Sequence, residues 1–399
     1  MTEWKTYTLK ELSKGRGEYG IGAPAVPFDK EKYTYLRITD INDDGTLNTL
    51  GMMSVDAEGA DKYLLEKNDI VFARTGNSTG RSYFYDGRDG ELVYAGFLIR
   101  FRLDETKVNP KILKYYTHSK PYYDWVKSFD TGGTRGNINA KTYGDMPIYL
   151  PPRHIQDRIV GILGAIDDKI ENNRRVNTNL ELQAQALFGN LISNSNLEYK
   201  LIADIEHLIE TGRRPKGGVA NIANGVPSIG AENIKGLGKY DYSKTKYITE
   251  EFAQSLKKGV VKGYELLIYK DGGKPGYFIP NFSIFGEGFP YEKMVLNEHV
   301  FLLDFGDRGY NFFAYFYMQT EEVMKYLNAQ GSKAAIPGIN RNDVESIAIP
   351  TIENKTVKEF CARVEPIISA ILTNAKESSR LATLRDTLLP KLMNGEIKI

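Results

Sequence analysis

One heptad pattern occurs twice in this chain, and that duplication restricts what it can fold into. From Ile159 to Leu191 the positions Ile159, Leu163, Ile166, Ile170, Asn173, Asn177, Leu180, Ala184, Leu187 and Leu191 advance by alternating steps of four and three. This spacing lays a single stripe along an α-helix for more than four heptads. Adding 201 (360 − 159) to each number gives Phe360, Val364, Ile367, Ile371, Asn374, Ser378, Leu381, Arg385, Leu388 and Leu392. The second stripe is the first again, with a polar residue at the same two central steps. A stripe needs a partner, and the simplest partner is the other stripe of the same chain. If the first helix carries the chain away and the second returns, the pair is antiparallel and the molecule has an internal pseudo-twofold. Packing of each helix on its own domain, or pairing between two chains, are the alternatives.

The repeat extends upstream. Ile138-Asn139 stands against Ile339-Asn340, and Ile148 against Ile349, at the same offset. The segments MPIYLPP at 146–152 and SIAIP at 346–350 are extended stretches that end in proline and set the helix starts. The remainder repeats more loosely. LEKNDIVFARTG at 65–76 parallels VKGYELLIYKDG at 261–272, and TYLRITDIN at 34–42 parallels VPSIGAENI at 226–234. These read as strands running into loops. The expected order is a domain at 1–150, a helix at 151–194, a second domain at 195–351 and a second helix at 352–399. The fold class is α+β: two similar mixed domains separated by two long helices that form an antiparallel coiled coil.

With 399 residues, two domains of ordinary size are expected. No stretch is apolar for long enough to span a bilayer, the N-terminal residues have no leader pattern, and one cysteine, Cys361, allows no internal disulfide. A cytoplasmic protein is expected. The formal net charge is +1, so nucleic acid is not held by an overall positive field, and any affinity for it comes from local patches or partner subunits.

Sequence-specific reading of DNA pairs Arg or Lys with guanine and Asn or Gln with adenine, on an element that enters the major groove. Loops at strand ends are suited to carry such residues. In the first domain Arg74, Thr75, Asn77, Ser78 and Arg81 lie in a glycine-rich stretch, and Lys270 and Lys274 occupy the matching place in the second. Before the helices, Arg135 and Asn137 in one copy and Lys333 in the other follow glycines that allow close approach to a phosphate. Arg213, Arg214 and Lys216 form the most basic short loop. A solvated turn is the alternative for each. Asn173 and Asn374 are expected to face one another and fix the helix register, with Asn177 and Ser378 leaving the interface open for partners.

The segment YGDMPIYLPPRHIQDRIVGILGAIDDKIENNRRVNTNLELQAQALF at 143–188 closely resembles the central region of type I restriction-modification specificity subunits. The tail SSRLATLRDTLLPKLMNGEI at 378–397 is similar to the region that ends them. The second copy departs from the first in lacking the double proline and the counterpart of Gln156. The resemblance implies that each domain reads one half of a split site on double-stranded DNA. It further implies that the helices space the domains and dock two methyltransferase subunits, and that translocating restriction subunits join the complex. A specificity subunit for a methyltransferase-nuclease fusion, or a coiled-coil adaptor without a DNA role, are the alternatives.

No catalytic motif is complete. The double proline Pro151-Pro152 lacks the preceding Asn or Asp of an adenine methyltransferase, and Gly273-Lys274-Pro275 fails the spacing of a phosphate-binding loop. Glu198-Tyr199-Lys200 and Glu396-Ile397-Lys398 have the Glu-x-Lys form of nucleases without the remaining carboxylates. His118, His154, His207 and His299 are isolated and give no metal-ligand spacing. A non-enzymatic subunit without metal or cofactor is expected.

Overall fold

The computed structural model describes residues 4–49, 51–129, 136–194, 196–220, 222–272, 276, 278–333 and 337–399. The chain divides into two compact units, Met1–Asp167 with Thr383–Ile399, and Asp168–Ala382. No described helix is long and apolar enough to cross a membrane.

Unit 1 contains β1 (Lys5–Thr8), β2 (Glu18–Tyr19), β3 (Ala25–Val26), β4 (Tyr33–Leu36), β5 (Met53–Val55), β6 (Asp69–Ala73), β7 (Ser82–Phe84), β8 (Leu92–Tyr94) and β9 (Leu98–Arg102). These are followed by α1 (Pro110–Tyr116), α2 (Lys120–Lys127), α3 (Ala140–Gly144), β10 (Pro147–Leu150) and the start of α4 (Arg153–Asn194). The strands form sheets in the orders β2-β9-β6-β7, β3-β5-β4-β8 and β1-β10. The centre is the antiparallel β6–β9 pair, with Phe72 opposite Ile99 and Ala73 opposite Leu98. Successive side chains of a strand point to opposite faces. Ile70, Phe72, Ile99 and Phe101 therefore enter one core with α1, α2 and α4, while Val71, Ala73 and Leu98 enter another beneath the second sheet.

Unit 2 repeats this order. After the end of α4 come β11 (Tyr199–Leu201), β12 (Leu208–Thr211), β13 (Val226–Ile229), β14 (Lys246–Ile248), α5 (Glu250–Ser255), β15 (Leu266–Tyr269), β16 (Phe282–Ile284), β17 (Val295–Leu296) and β18 (Val300–Asp304). Then follow α6 (Arg308–Tyr317), α7 (Glu321–Gly331), α8 (Arg341–Glu345), β19 (Ala348–Pro350) and α9 (Lys355–Met393). Its sheets run β12-β18-β15-β16, β14-β13-β17 and β11-β19, which is the arrangement of unit 1 without a counterpart of β3 among the described residues. β4 pairs with β8 in parallel, as β13 does with β17. Leu266, Ile268, Phe301 and Leu303 face one core and Leu267, Val300 and Leu302 the other. The short helices are capped alike at their starts: Asn139 accepts from the N–H of Thr142 and Asn340 from that of Asp343. The sole cysteine, Cys361, is buried on α9, where burial pushes its thiol up to about 12, and a Cβ added at Gly309 would lie 2.9 Å from its own.

Each unit contains a stretch of both long helices, and in each the stripes pack together. In unit 1, Ile159 and Leu163 share a core with Leu389, Leu392 and Met393. In unit 2, Ala184 and Leu191 share one with Val357, Phe360, Val364 and Ile371. The polar steps have partners across the seam. The Asn173 amide donates to the Glu377 carboxylate (2.7 Å), to Ser378 Oγ (3.2 Å) and to the Asn374 carbonyl (3.4 Å). The Asn374 amide donates instead to Asn177 Oδ1 (2.8 Å), and Asn177 donates to the Ile371 carbonyl (3.0 Å). The residue numbers of the partners on α9 fall as those on α4 rise, so the helices run antiparallel. The amide-to-amide contact thus joins Asn177 to Asn374, one helical turn from the expected facing pair, since Asn173 has a carboxylate and a hydroxyl closer at hand. Asn177 and Ser378 are engaged inside the seam and do not hold it open.

Arg385, a charged residue on an apolar stripe, is explained in unit 1. It donates to Asp167 (3.2 Å), which also accepts from Lys114 Nζ (2.7 Å) and from the Tyr115 hydroxyl (3.0 Å). Burial acts to raise the Asp167 carboxyl, but Lys114 and Arg385 outweigh it and hold it below the usual carboxylate range. A depressed folded-state pKa gives stability that is present above the unfolded value near 4 and is lost as pH falls through the folded one. The two tryptophans, Trp4 and Trp125, both lie in unit 1 and report on it. Asp167→Asn is expected to cost unit 1 about 2 kcal/mol at pH 7. In urea titrations followed by tryptophan fluorescence, the gap from the wild type should narrow below about pH 4. A gap independent of pH would remove the charge from the explanation.

Candidate nucleic-acid interface

In unit 1 the strand register brings together residues that are far apart in sequence. Arg74 follows β6; its N–H donates to the Phe97 carbonyl (3.1 Å) and its carbonyl accepts from Ile138 N–H (2.9 Å). Thr75 bridges to Asn137. The Arg74 guanidinium lies 5.0 Å from the centre of the Tyr19 ring. Tyr19 and Phe97 are 43% and 59% exposed, so two aromatic side chains stay open to solvent at this corner. The loop is braced from below: Tyr143 donates to the Ala73 carbonyl (2.8 Å) and Tyr122 to the Gly80 carbonyl (2.6 Å), both from full burial. It is no loose hairpin turn.

The other first-domain candidates divide. Asn77 and Asn137 are exposed, Thr75 is half-buried and Ser78 is buried. Arg81 is spent on its own unit, with Nε on Asp43 (2.7 Å) and Nη1 on the Ile41 carbonyl (3.0 Å), so it secures the 41–46 loop. Arg135 lies outside the described residues.

The same corner of unit 2 has other chemistry. Lys270 takes the place of Arg74, because its N–H donates to the His299 carbonyl (2.9 Å) and its carbonyl accepts from Ile339 N–H (2.8 Å). His299 thereby takes the place of Phe97, and Thr211, opposite Phe301, takes that of Tyr19, opposite Ile99. Carboxylates occupy this corner. Lys270 lies 3.3 Å from Asp271 and donates to the Glu298 carbonyl (3.1 Å), and Arg214 pairs with Glu298 (3.0 Å). The imidazole of His299, isolated in the sequence, contacts Asp271 through Nδ1 and Glu298 through Nε2. Arg213 and Lys216 are exposed and meet no carboxylate among the described residues. Lys333 is exposed and donates to Gln330 (2.6 Å), and Lys274 lies outside the described residues.

Both corners depend on a glycine. A Cβ on Gly20 would lie 2.3 Å from the Tyr94 carbonyl oxygen, and one on its counterpart Gly212 would lie 1.6 Å from the Leu296 carbonyl oxygen. The chain leaving β2 or β12 touches the neighbouring backbone, which only a residue without a side chain permits. Sequence reasoning singled out the basic residues and missed Tyr19, Phe97, Asp271 and Glu298, and it set His299 aside as isolated. The repeat itself held part of the signal, since it sets the segments around 74 and 270 against each other. The partners of those segments enter through pairing across tens of residues, which no local pattern records.

Residues 1–182 match the family model for the type I restriction modification DNA specificity domain. The type I restriction enzyme HindI specificity subunit of Haemophilus influenzae is 22% identical, with 100% of each chain covered. The MjaIX specificity subunit of Methanocaldococcus jannaschii is also 22% identical, over 72% of this chain and 69% of that one. The crystal structure of a type I restriction-modification S subunit from M. genitalium aligns with a TM-score of 0.58 at 16% identity, covering 98% of this chain and 96% of that one. The two share a fold.

The glycine contact generates an expectation. Gly212→Ala should destabilise unit 2 by about 3 kcal/mol, because backbone and not a movable side chain stands in the way. Hydrogen exchange should show faster opening in β12, β13 and β17, while the urea midpoint read from Trp4 and Trp125 in unit 1 stays in place. Unchanged exchange in unit 2 would show that the backbone there yields freely.

Proposed function

We propose that this chain is a type I restriction-modification specificity subunit and reads a bipartite site on double-stranded DNA, one part with each unit. The observation that carries this is the repeated strand order with unequal loops. The same framework, β6 beside β9 and β15 beside β18, ends in a guanidinium set against an aromatic ring in one unit and in carboxylate-bound cations in the other. Two copies of one scaffold with different chemistry at the same corner suit two different targets. The reading domains are assigned to 1–150 and 195–351.

In this reading the helices at 151–194 and 352–399 dock two methyltransferase subunits, and translocating restriction subunits join them. The chain supplies recognition, while methyl transfer and cleavage belong to its partners. The near-neutral net charge fits a subunit that gains affinity for DNA within a complex. The exposed Ile162, Val176, Leu182 and Leu384 are apolar groups on the long helices that a docked subunit would cover.

The test is an exchange. Replacing residues 1–150 with the corresponding domain of a related subunit should change one part of the methylated sequence and leave the other part as it was. Sequence-resolved methylation mapping in cells carrying the exchanged gene and the methyltransferase reads this directly. Simultaneous change of both parts would show that the units do not read independently.

A further inference from the structure

The Arg74 side chain is held in place but has no hydrogen-bond partner among the described residues. Its backbone is clamped on both sides by Phe97 and Ile138, and its guanidinium rests on Tyr19, whose hydroxyl accepts from Ala140 N–H (3.1 Å). Its Nε is buried without a hydrogen bond, so donation from this side chain falls to the two terminal nitrogens. Among the described residues no carboxylate meets it. Its neighbour Arg81 and its counterpart Lys270 are both held by acidic or carbonyl oxygens of their own unit. A guanidinium without an acceptor among the described residues stands out in a loop so well supplied with other hydrogen bonds.

We propose that Arg74 is a specificity-determining residue that reads a guanine in the part of the site bound by unit 1. The inference rests on the DNA-specificity reading above and goes beyond it in naming the residue and the base. A guanine presents O6 and N7 side by side in the major groove, and a planar guanidinium edge donates to both at once. The contact with the Tyr19 ring, 5.0 Å from its centre, restrains the guanidinium before DNA arrives, as base discrimination requires and simple charge neutralisation does not. A phosphate would be served equally by a mobile lysine. Asn137, exposed and bridged to Thr75, stands at the same corner.

The experiment uses the full chain assembled with its methyltransferase subunits and a set of duplexes carrying each base at every position of the mapped site. For the wild type, the part assigned to unit 1 by the domain exchange should contain a guanine preferred by about 10- to 100-fold over other bases. Arg74→Gln should abolish that preference at the one position and shift it toward adenine, and Arg74→Lys, which keeps the charge but loses the planar fork, should reduce it. Lys270→Gln should leave the position untouched. Unchanged tryptophan fluorescence midpoints establish that unit 1 of each variant is folded. If both Arg74 variants keep the guanine preference, or if the unit 1 part contains no guanine, Arg74 is not the reader. If Arg74→Gln weakens binding to every duplex alike and lowers the salt slope by about one, Arg74 contacts a phosphate and the proposal falls. Absence of any sequence preference in the wild-type complex would instead overturn the DNA-specificity reading itself.

Discussion

Burial of one antiparallel strand pair on both faces is the constraint on which each unit depends. In β6, Ile70 and Phe72 enter the helical core while Val71 and Ala73 enter the core beneath the second sheet. A slip of β6 by one residue against β9 would exchange its two sets between the cores. The register is therefore fixed by two cores at once. It follows that the ends of these strands are fixed too, and a loop that begins at Ala73 or Tyr269 starts from a defined point. The candidate interface owes its order to the cores behind it.

The two units satisfy that constraint differently. At the level of Val71 unit 1 places Arg100, which is 2% exposed, donates to the Leu64 carbonyl (2.9 Å) and contacts Glu18, with Asp69 3.6 Å away. Burial pushes the Asp69 carboxyl up to about 6, against the Glu66 N–H and Arg100, which pull it down. Unit 2 has Leu302 at that level, within an apolar core, and Glu265 accepting from the N–H groups of Lys262 and Gly263. One fold thus tolerates a buried ionic group or a leucine at the same place, provided the ion finds its partners.

Much of this was legible in the sequence because the governing features are periodic or duplicated. The two stripes gave the long helices, and the pairing of 65–76 with 261–272 located equivalent strands, with Arg74 against Lys270. The start of α9, where the second copy departs from the first, was less legible. Gln156 closes the start of α4 by accepting from Asn109 N–H (3.0 Å) and donating to the Pro151 carbonyl (2.9 Å). Its counterpart is the buried Val357, and Asn354 instead caps the helix by accepting from Thr356 N–H (2.9 Å). Register at the polar seam was also beyond reach, because whether Asn374 meets Asn173 or Asn177 depends on a shift of one turn between helices, and Asn173 is engaged by Glu377 instead. Composition cannot tell which cations are bound to their own unit; Arg81 and Arg214 look the same as Arg74 until their carboxylate partners are placed.

Cys361 has a practical consequence. It is the one cysteine in the chain, it lies closely packed under Gly309, and its thiol stays protonated at neutral pH. Thiol reagents attack the thiolate of an accessible cysteine, so the native chain is close to inert toward them. A cysteine placed on the surface is then the one reactive thiol of the molecule. At the exposed position 137, Asn137→Cys would put that atom at the corner of unit 1, beside Thr75. A dye or cleavage reagent attached there would mark the nucleotides that pass nearest, with Cys361 left in place to keep its packing on α9.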